Sequence, residues 1–143
     1  MNQPVLYELD FRLSYGECDP AGIVYFASYY PWFERVFNEW CFVNGFATEK
    51  MRELWGASHV SRASNCEYLI PGRLHDPLTC RMLLGHVGET SYSMRFEVVH
   101  REDGQIFATG GMFFVFVDEQ FPPRPVTVPE GLRAELRTRG YDV

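Results

Sequence analysis

The feature that most constrains this chain is one long amphipathic helix placed among segments with strand periodicity. From Tyr29 onward, large apolar residues recur at helical spacing: Phe33, Val36, Phe37, Trp40 and Val43. Polar residues occupy the opposite face: Glu34, Arg35, Asn38 and Glu39. Asn44 and Gly45 match the end of a helix. Such a helix must bury its apolar face against another layer.

Most of the remaining sequence predicts strands. Apolar and polar residues alternate from Val5 to Tyr15, which predicts a half-buried first strand. Four more strands are predicted: 59–70, 79–87, 92–98 and, after a hairpin signal, an interior apolar strand at 106–117. Short helices are predicted at 48–54 and 130–139. The fold class is therefore α+β, with an antiparallel five- to six-stranded sheet wrapped around one long helix. Residues 1–143 are expected to form a single domain.

Charge and composition exclude several classes of function. The formal net charge is −6 and no basic stripe exists, so nucleic acid is not expected as a partner. Aromatic residues make up 16% of the chain, which suits an apolar pocket or interface as well as a core. A sheet around one helix leaves exposed edges, so a homodimer or homotetramer is expected.

Cysteine spacing and hydropathy indicate an ordinary reduced protein. The four cysteines are widely spaced and form no CxxC pair: Cys18, Cys41, Cys66 and Cys80. Met1 to Leu6 lack the regions of a signal peptide, and no run reaches the roughly 18 apolar residues of a membrane span. We expect a cytoplasmic protein with no metal, no cofactor and no membrane association.

The richest stretch for chemistry runs from Tyr15 to Tyr29 and reads YGECDPAGIVYFASY. It places two carboxylates, Glu17 and Asp19, on a loop that leads into the long helix. Unpaired N–H groups at a helix start can stabilise the oxyanion of a thioester under attack. Acids before a helix also act as ordinary caps, and Asp-Pro is a common turn. Spacing alone leaves both interpretations open.

This stretch resembles the signature of the 4-hydroxybenzoyl-CoA thioesterase group of hotdog-fold proteins. The resemblance continues through four further segments and covers about Phe11 to Val128: residues 32–35, 67–68, 71–74 and 89–91. It implies the hotdog fold and hydrolysis of an acyl or aroyl thioester carried by coenzyme A or an acyl carrier protein.

Carried over by position, the resemblance implies roles for individual residues. Asp19 would be the catalytic nucleophile or general base, and the backbone N–H of Phe26 would polarise the thioester carbonyl. The floor of the substrate pocket would be shaped by Gly22, Ile23, Val24 and Tyr25. Tyr29 would belong to the core or the pocket wall, and so would Tyr15 and Tyr25. Glu34 matches a carboxylate that contacts the acyl group, although it could also pair with Asn38 on the helix surface.

Two departures from the family pattern concern position 26 and the coenzyme. Position 26 is often His or Tyr in relatives, so Phe26 keeps only the backbone role. The turn from His86 to Thr90 lacks the basic cluster that holds coenzyme A phosphates. Four arginines could replace that cluster, or could be surface charges: Arg62, Arg73, Arg81 and Arg124.

Other residues and functions give weaker alternatives. His59 could touch substrate or could be a hydrogen-bonded structural residue. Cys18 has no His nearby in the sequence to activate it as a nucleophile. A hotdog dehydratase or hydratase is one alternative function, although the His that it needs is missing from the motif. A non-catalytic acyl-thioester binding module is the other, although it would not need Asp19.

Overall fold

Residues 3–143 are described by a computed structural model, and their central element is one antiparallel sheet in the order β1-β3-β4-β5-β2. The strands are β1 (Tyr7–Arg12), β2 (Ser58–Tyr68), β3 (Pro77–Val87), β4 (Ser91–His100) and β5 (Ile106–Val117). The helices are α1 (Tyr29–Val43), α2 (Met51–Trp55) and α3 (Glu130–Thr138). The α+β prediction of a five-stranded sheet with one long helix is therefore confirmed.

The apolar face of α1 is buried against the inner face of the sheet. The ring of Phe33 stacks on Phe96 of β4 at 4.7 Å, and Phe37 stacks on Phe114 of β5 at 4.9 Å. Gly110 of β5 lies directly beneath the Phe33 ring, where a side chain would collide with it. These contacts fill the space between helix and sheet, as the helical periodicity predicted, and the result is the hotdog arrangement that the family resemblance implies.

The strand order leaves β1 and β2 as the two edges of the sheet. The prediction that the apolar strand 106–117 lies in the interior is confirmed, because β5 pairs with both β4 and β2. The edge strand β2 is long, and residues 60–65 within it are exposed to solvent. Its outer backbone groups are therefore available for pairing with another strand.

The predicted end of the first strand is wrong, whereas the predicted end of the long helix is confirmed. The first strand ends at Arg12 rather than Tyr15, because the chain turns into a 3-10 helix at Tyr15–Glu17, just after a last bond from the N–H of Leu13 to the carbonyl of Asp76. Tyr15 is 83% exposed in the single chain, so its assignment to the core is wrong, and its place in a pocket wall stays a prediction. At the end of α1, Gly45 has a φ of +86°, which confirms the predicted stop.

The smaller helices also match the sequence pattern. Residues 48–50 form a 3-10 turn that leads into α2, and α3 ends within one residue of the prediction. The apolar face of α3 completes the core through Leu132 and Leu136. Within residues 3–143, none of the helices combines the length and hydropathy that a bilayer span requires.

Candidate active site

The loop that precedes α1 folds into a small antiparallel ladder. The N–H of Asp19 donates to the carbonyl of Ile23 at 2.8 Å, and that of Tyr25 donates to the carbonyl of Glu17 at 2.8 Å. Gly22 makes the reversal with a φ of +78°, a conformation that residues with a Cβ rarely adopt. The Asp-Pro-Ala-Gly sequence therefore forms the tip of a short hairpin.

Segments distant in sequence hold this hairpin in place. The N–H of Val24 donates to the carbonyl of Gly72 at 2.8 Å, and Ile23 forms an isolated bridge with Arg73. The hydroxyl of Tyr68, at the end of β2, donates to the carbonyl of Phe26 at 3.3 Å. Two other segments of the family resemblance thus meet the loop in space.

The Asp19 carboxylate is half-buried and only partly engaged. Its Oδ1 accepts the backbone N–H of Ala21 at 2.8 Å, which closes a turn within the loop. Within residues 3–143, its Oδ2 has no hydrogen-bond donor from the protein. One oxygen therefore ties down the loop and the other is free.

The Glu17 carboxylate differs from Asp19 because both of its oxygens are engaged. Oε1 accepts the backbone N–H of Ser14 at 2.9 Å, and Oε2 accepts the indole N–H of Trp32 at 2.6 Å. Trp32 is buried on α1. Of the two acids in the loop, only Asp19 has a carboxylate oxygen that accepts no hydrogen bond from residues 3–143.

Phe26 begins a 3-10 turn, 26–28, that runs directly into α1. In the part of the chain that the structure describes, its backbone N–H has no acceptor. Such free donors are typical of a helix start and can bind a negative oxygen. The Phe26 side chain is 58% exposed and lies against Tyr25, with ring centroids 4.7 Å apart.

The other residues predicted for the pocket floor differ in exposure. Val24 is buried and Ile23 is half-buried, whereas Gly22 is exposed and Tyr25 is 46% exposed. Tyr29 is buried at the start of α1, which confirms that it belongs to the core, and its contact with substrate stays a prediction. Burial raises the pKa of the Tyr29 hydroxyl to about 12, with smaller contributions from Cys66 and Tyr68. The phenol is therefore neutral at physiological pH.

Glu34 lies on the exposed face of α1 and pairs with Asn38. The amide of Asn38 donates to Oε1 of Glu34 at 2.7 Å, as the surface interpretation predicted. Glu34 also borders two grooves beside α1, one of about 720 Å³ next to β1 and one of about 360 Å³ next to β2. Asp19 does not line either groove.

His59 lies on β2 inside an aromatic cluster rather than at the loop. Its ring stacks on Phe114 at 4.5 Å and hydrogen-bonds to the hydroxyl of Tyr92. Burial lowers the pKa of His59 to about 4, so the ring is neutral at pH 7. These contacts match the structural interpretation of His59, and none of them involves residues 17–28.

Cys18 and two of the four arginines are not arranged for a role at the site. Burial, with smaller contributions from Glu17 and Asp19, raises the pKa of the Cys18 thiol, which disfavours a nucleophilic thiolate. Arg81 pairs with Glu97 at 2.9 Å, and Arg124 pairs with Asp118 at 2.9 Å.

The guanidinium groups of the remaining two arginines, Arg62 and Arg73, have no carboxylate within 4.0 Å among residues 3–143. Arg73 is exposed and adjoins the hairpin through its backbone bridge to Ile23. No metal-binding group of three or more His, Cys, Asp or Glu residues occurs in the described part of the chain.

Comparison with models of protein families identifies the family of this chain. The model of the thioesterase-like superfamily matches residues 13–136. The chain belongs to this superfamily. The prediction of a thioester hydrolase related to the 4-hydroxybenzoyl-CoA thioesterases is thereby confirmed at the level of the family. A search of curated proteins finds no match to this thioesterase-like chain.

Solved structures similar to this thioesterase-like chain support the fold. A 1,4-dihydroxy-2-naphthoyl-CoA thioesterase from Synechocystis is 12% identical, with a TM-score of 0.82 over 95% of this chain and 98% of that chain. The 4-hydroxybenzoyl-CoA thioesterase from Pseudomonas sp. strain CBS-3 is 20% identical, with a TM-score of 0.76 over 90% and 96%. A variant 4-hydroxybenzoyl-CoA thioesterase with an Asp-to-Asn substitution, in complex with 4-hydroxybenzoyl-CoA, is 19% identical, with a TM-score of 0.77 over 90% and 96%.

Sequence reasoning missed the contacts that organise this loop. The Glu17–Trp32 hydrogen bond spans 15 residues, and the Val24–Gly72 hydrogen bond spans 48. The one local signal was the presence of two acids in the motif, which suggests that one acts in catalysis and the other holds the loop.

Proposed function

We propose that the protein hydrolyses an acyl or aroyl thioester of coenzyme A or an acyl carrier protein to the free acid and thiol. One observation carries the proposal. The loop presents two groups without a hydrogen-bond partner among residues 3–143, Oδ2 of Asp19 and the N–H of Phe26. Each carboxylate oxygen of the neighbouring acid Glu17, in contrast, accepts a hydrogen bond. Thioester hydrolysis needs these two groups, an anionic base or nucleophile and a donor for the developing oxyanion.

In the general-base form of the mechanism, Asp19 takes a proton from water as the water oxygen bonds to the thioester carbonyl carbon. The carbonyl oxygen becomes an oxyanion that accepts the N–H of Phe26. Its collapse breaks the C–S bond, and the thiolate leaves and takes up a proton. In the nucleophilic form, the Asp19 carboxylate attacks the carbonyl carbon, the C–S bond breaks and the thiolate leaves with a proton, and water then hydrolyses the resulting mixed anhydride to the free acid and the original carboxylate.

The expected contributions of these groups are substantial. A positioned general base typically supplies about 10²- to 10⁴-fold in rate. One oxyanion donor contributes about 3–4 kcal/mol to the transition state. Ile23, the ladder partner of Asp19, is three residues from Phe26, which is at most about 11 Å of extended chain. Both groups therefore belong to the same short hairpin and the turn that follows it.

The similar structures support the choice of substrate class. Two of them act on aroyl-CoA thioesters, and one was captured with its aroyl-CoA bound after an aspartate had been replaced by asparagine. The free Arg73 beside the hairpin supports a carrier with a phosphate group, because guanidinium binds phosphate through paired hydrogen bonds. Coenzyme A and the phosphopantetheine of an acyl carrier protein both provide one.

We also propose that a second copy of the chain completes the pocket, giving a homodimer or a dimer of dimers. The long edge β2 is open to pairing along residues 60–65, and its far end contacts the loop through Tyr68 and Phe26. A partner on this edge would cover the exposed rings of Tyr25, Phe26 and Tyr68. It could also enclose Asp19, which in a single chain lines neither of the two grooves beside α1. Light scattering after size exclusion tests this, and a monomer at assay concentration would contradict it.

The activity itself is tested by a thiol-release screen across short, long and aromatic acyl thioesters on both carriers. The hydrolase predicts release of one thiol and one free acid per turnover. A dehydratase would interconvert 3-hydroxyacyl and enoyl thioesters without releasing thiol. A binding module would saturate with ligand without product, and either result would reject the hydrolase.

A further inference from the structure

Glu17 is a junction between the hairpin and the start of α1. Four hydrogen bonds converge on this one residue. Its carboxylate accepts from Ser14 and Trp32, and its carbonyl oxygen accepts the N–H of Tyr25 at 2.8 Å and the hydroxyl of Ser28 at 3.0 Å. The donors are Ser14 just after the first strand, Tyr25 on the returning side of the hairpin, Ser28 in the 3-10 turn before α1, and Trp32 in α1.

We propose that Glu17 is the positioning residue of the site, which sets the geometry between Asp19 and the N–H of Phe26. This inference rests on the proposed hydrolase function. Glu17 lies two residues before Asp19, and its backbone bonds to Tyr25, the residue just before Phe26. Its side chain anchors the same segment to Trp32, whose indole is held in place by the rings of Phe11 and Tyr29. The segments that carry both reacting groups are thus anchored, through Glu17, to Trp32 of α1.

The chemistry of the side chain explains why a carboxylate suits this position. Ser14 and Trp32 each present an N–H donor, and a carboxylate can accept both, one on each oxygen. An amide offers only one acceptor oxygen, so its NH₂ would face one of the two donors. Glu17→Gln therefore preserves size but breaks one bond, and it opposes two donors at the junction.

Replacing a positioning residue lowers kcat, whereas replacing a residue that only stabilises the fold lowers the melting temperature and leaves kcat unchanged. A shift of about 1 Å between reacting groups can cost about 100-fold in rate. We therefore expect Glu17→Gln to lower kcat by about 10- to 100-fold while KM stays within about twofold. The matched control is Glu39→Gln, a half-buried acid on α1 that makes no side-chain hydrogen bond or ion pair among residues 3–143, with kcat unchanged.

Trp32→Phe provides an independent test, because it removes the indole donor and keeps an aromatic ring in the core. It should also lower kcat, and the double variant Glu17→Gln/Trp32→Phe should lose less than the product of the two single losses, since both changes disturb the same junction. Should Glu17→Gln fail to fold, Trp32→Phe alone carries the test.

The results are measured as kcat and KM by thiol release, together with the melting temperature of each variant. A lower melting temperature with kcat within twofold of wild type, or fully additive losses in the double variant, would overturn the inference. Asp19→Asn is assayed alongside. If that variant is inactive while Glu17→Gln and Trp32→Phe are normal, only the positioning role fails. If Asp19→Asn is fully active, the proposed mechanism fails.

Discussion

Gly110→Ala is the substitution whose consequence the structure defines most closely. A Cβ at this position would lie 2.6 Å from Cζ of Phe33 and 3.1 Å from the carbonyl oxygen of Asn65. Phe33 cannot retreat, because it is fully buried and stacked on Phe96 at 4.7 Å. Overpacking of a filled core typically costs about 1–3 kcal/mol. For a chain of this size, that corresponds to a melting temperature lower by roughly 3–10 °C.

The assay is urea unfolding at one fixed protein concentration, because an oligomer gains stability with concentration. Gly16→Ala is the matched control, since a Cβ there has nothing within 4 Å and φ is not positive. The double variant Gly110→Ala/Phe33→Leu should recover part of the loss, because leucine lacks the ring atoms that collide. Gly110→Ala as stable as wild type would refute the placement of α1 directly over β5.

Two further predictions concern the charged groups. Arg73→Ala should raise KM for a coenzyme A thioester several-fold in steady-state assays, with kcat unchanged. Arg124→Ala is the control and should leave KM unchanged, because it removes a cation that is already paired with Asp118. Equal KM values for the two variants would show that Arg73 does not bind substrate. His59 has a pKa of about 4 when folded, so the unfolded chain binds a proton first and stability should fall as pH drops from about 6.5 to about 4, by up to about 3 kcal/mol. In His59→Phe this fall, followed by urea unfolding at each pH, should be smaller, and an unchanged slope would contradict a neutral buried His59.

The fold could be predicted because its main signals are local. The 3.6-residue repeat and the Asn44-Gly45 stop define α1, and the apolar run of β5 matches its interior position. The first strand was predicted too long because alternation continues through Leu13 and Tyr15 after the ladder has ended. What ends it is the 3-10 turn Tyr15–Glu17, which is held by hydrogen bonds from Ser14 and from Trp32, 15 residues away, to the Glu17 carboxylate, and no local pattern reveals the second of these.

The candidate site was predictable in position but not in its internal division of roles. The motif indicated two acids near a helix start, and the structure separates them by their partners. Glu17 is engaged because Trp32, 15 residues further along the chain, donates its indole N–H to the carboxylate. Glu34 had two open interpretations in the sequence, and its hydrogen bond to Asn38 matches the surface one.

The most direct test of the proposed chemistry is single-turnover thiol release by Asp19→Asn, on the best substrate from the screen. Asparagine keeps the Oδ1 acceptor that closes the turn with Ala21 but cannot act as a base or an anionic nucleophile. We predict an unchanged melting temperature and a rate at least about 100-fold lower, with the exposed acid variant Asp142→Asn at the wild-type rate. A folded Asp19→Asn protein that releases thiol at the wild-type rate would contradict the assignment of Asp19.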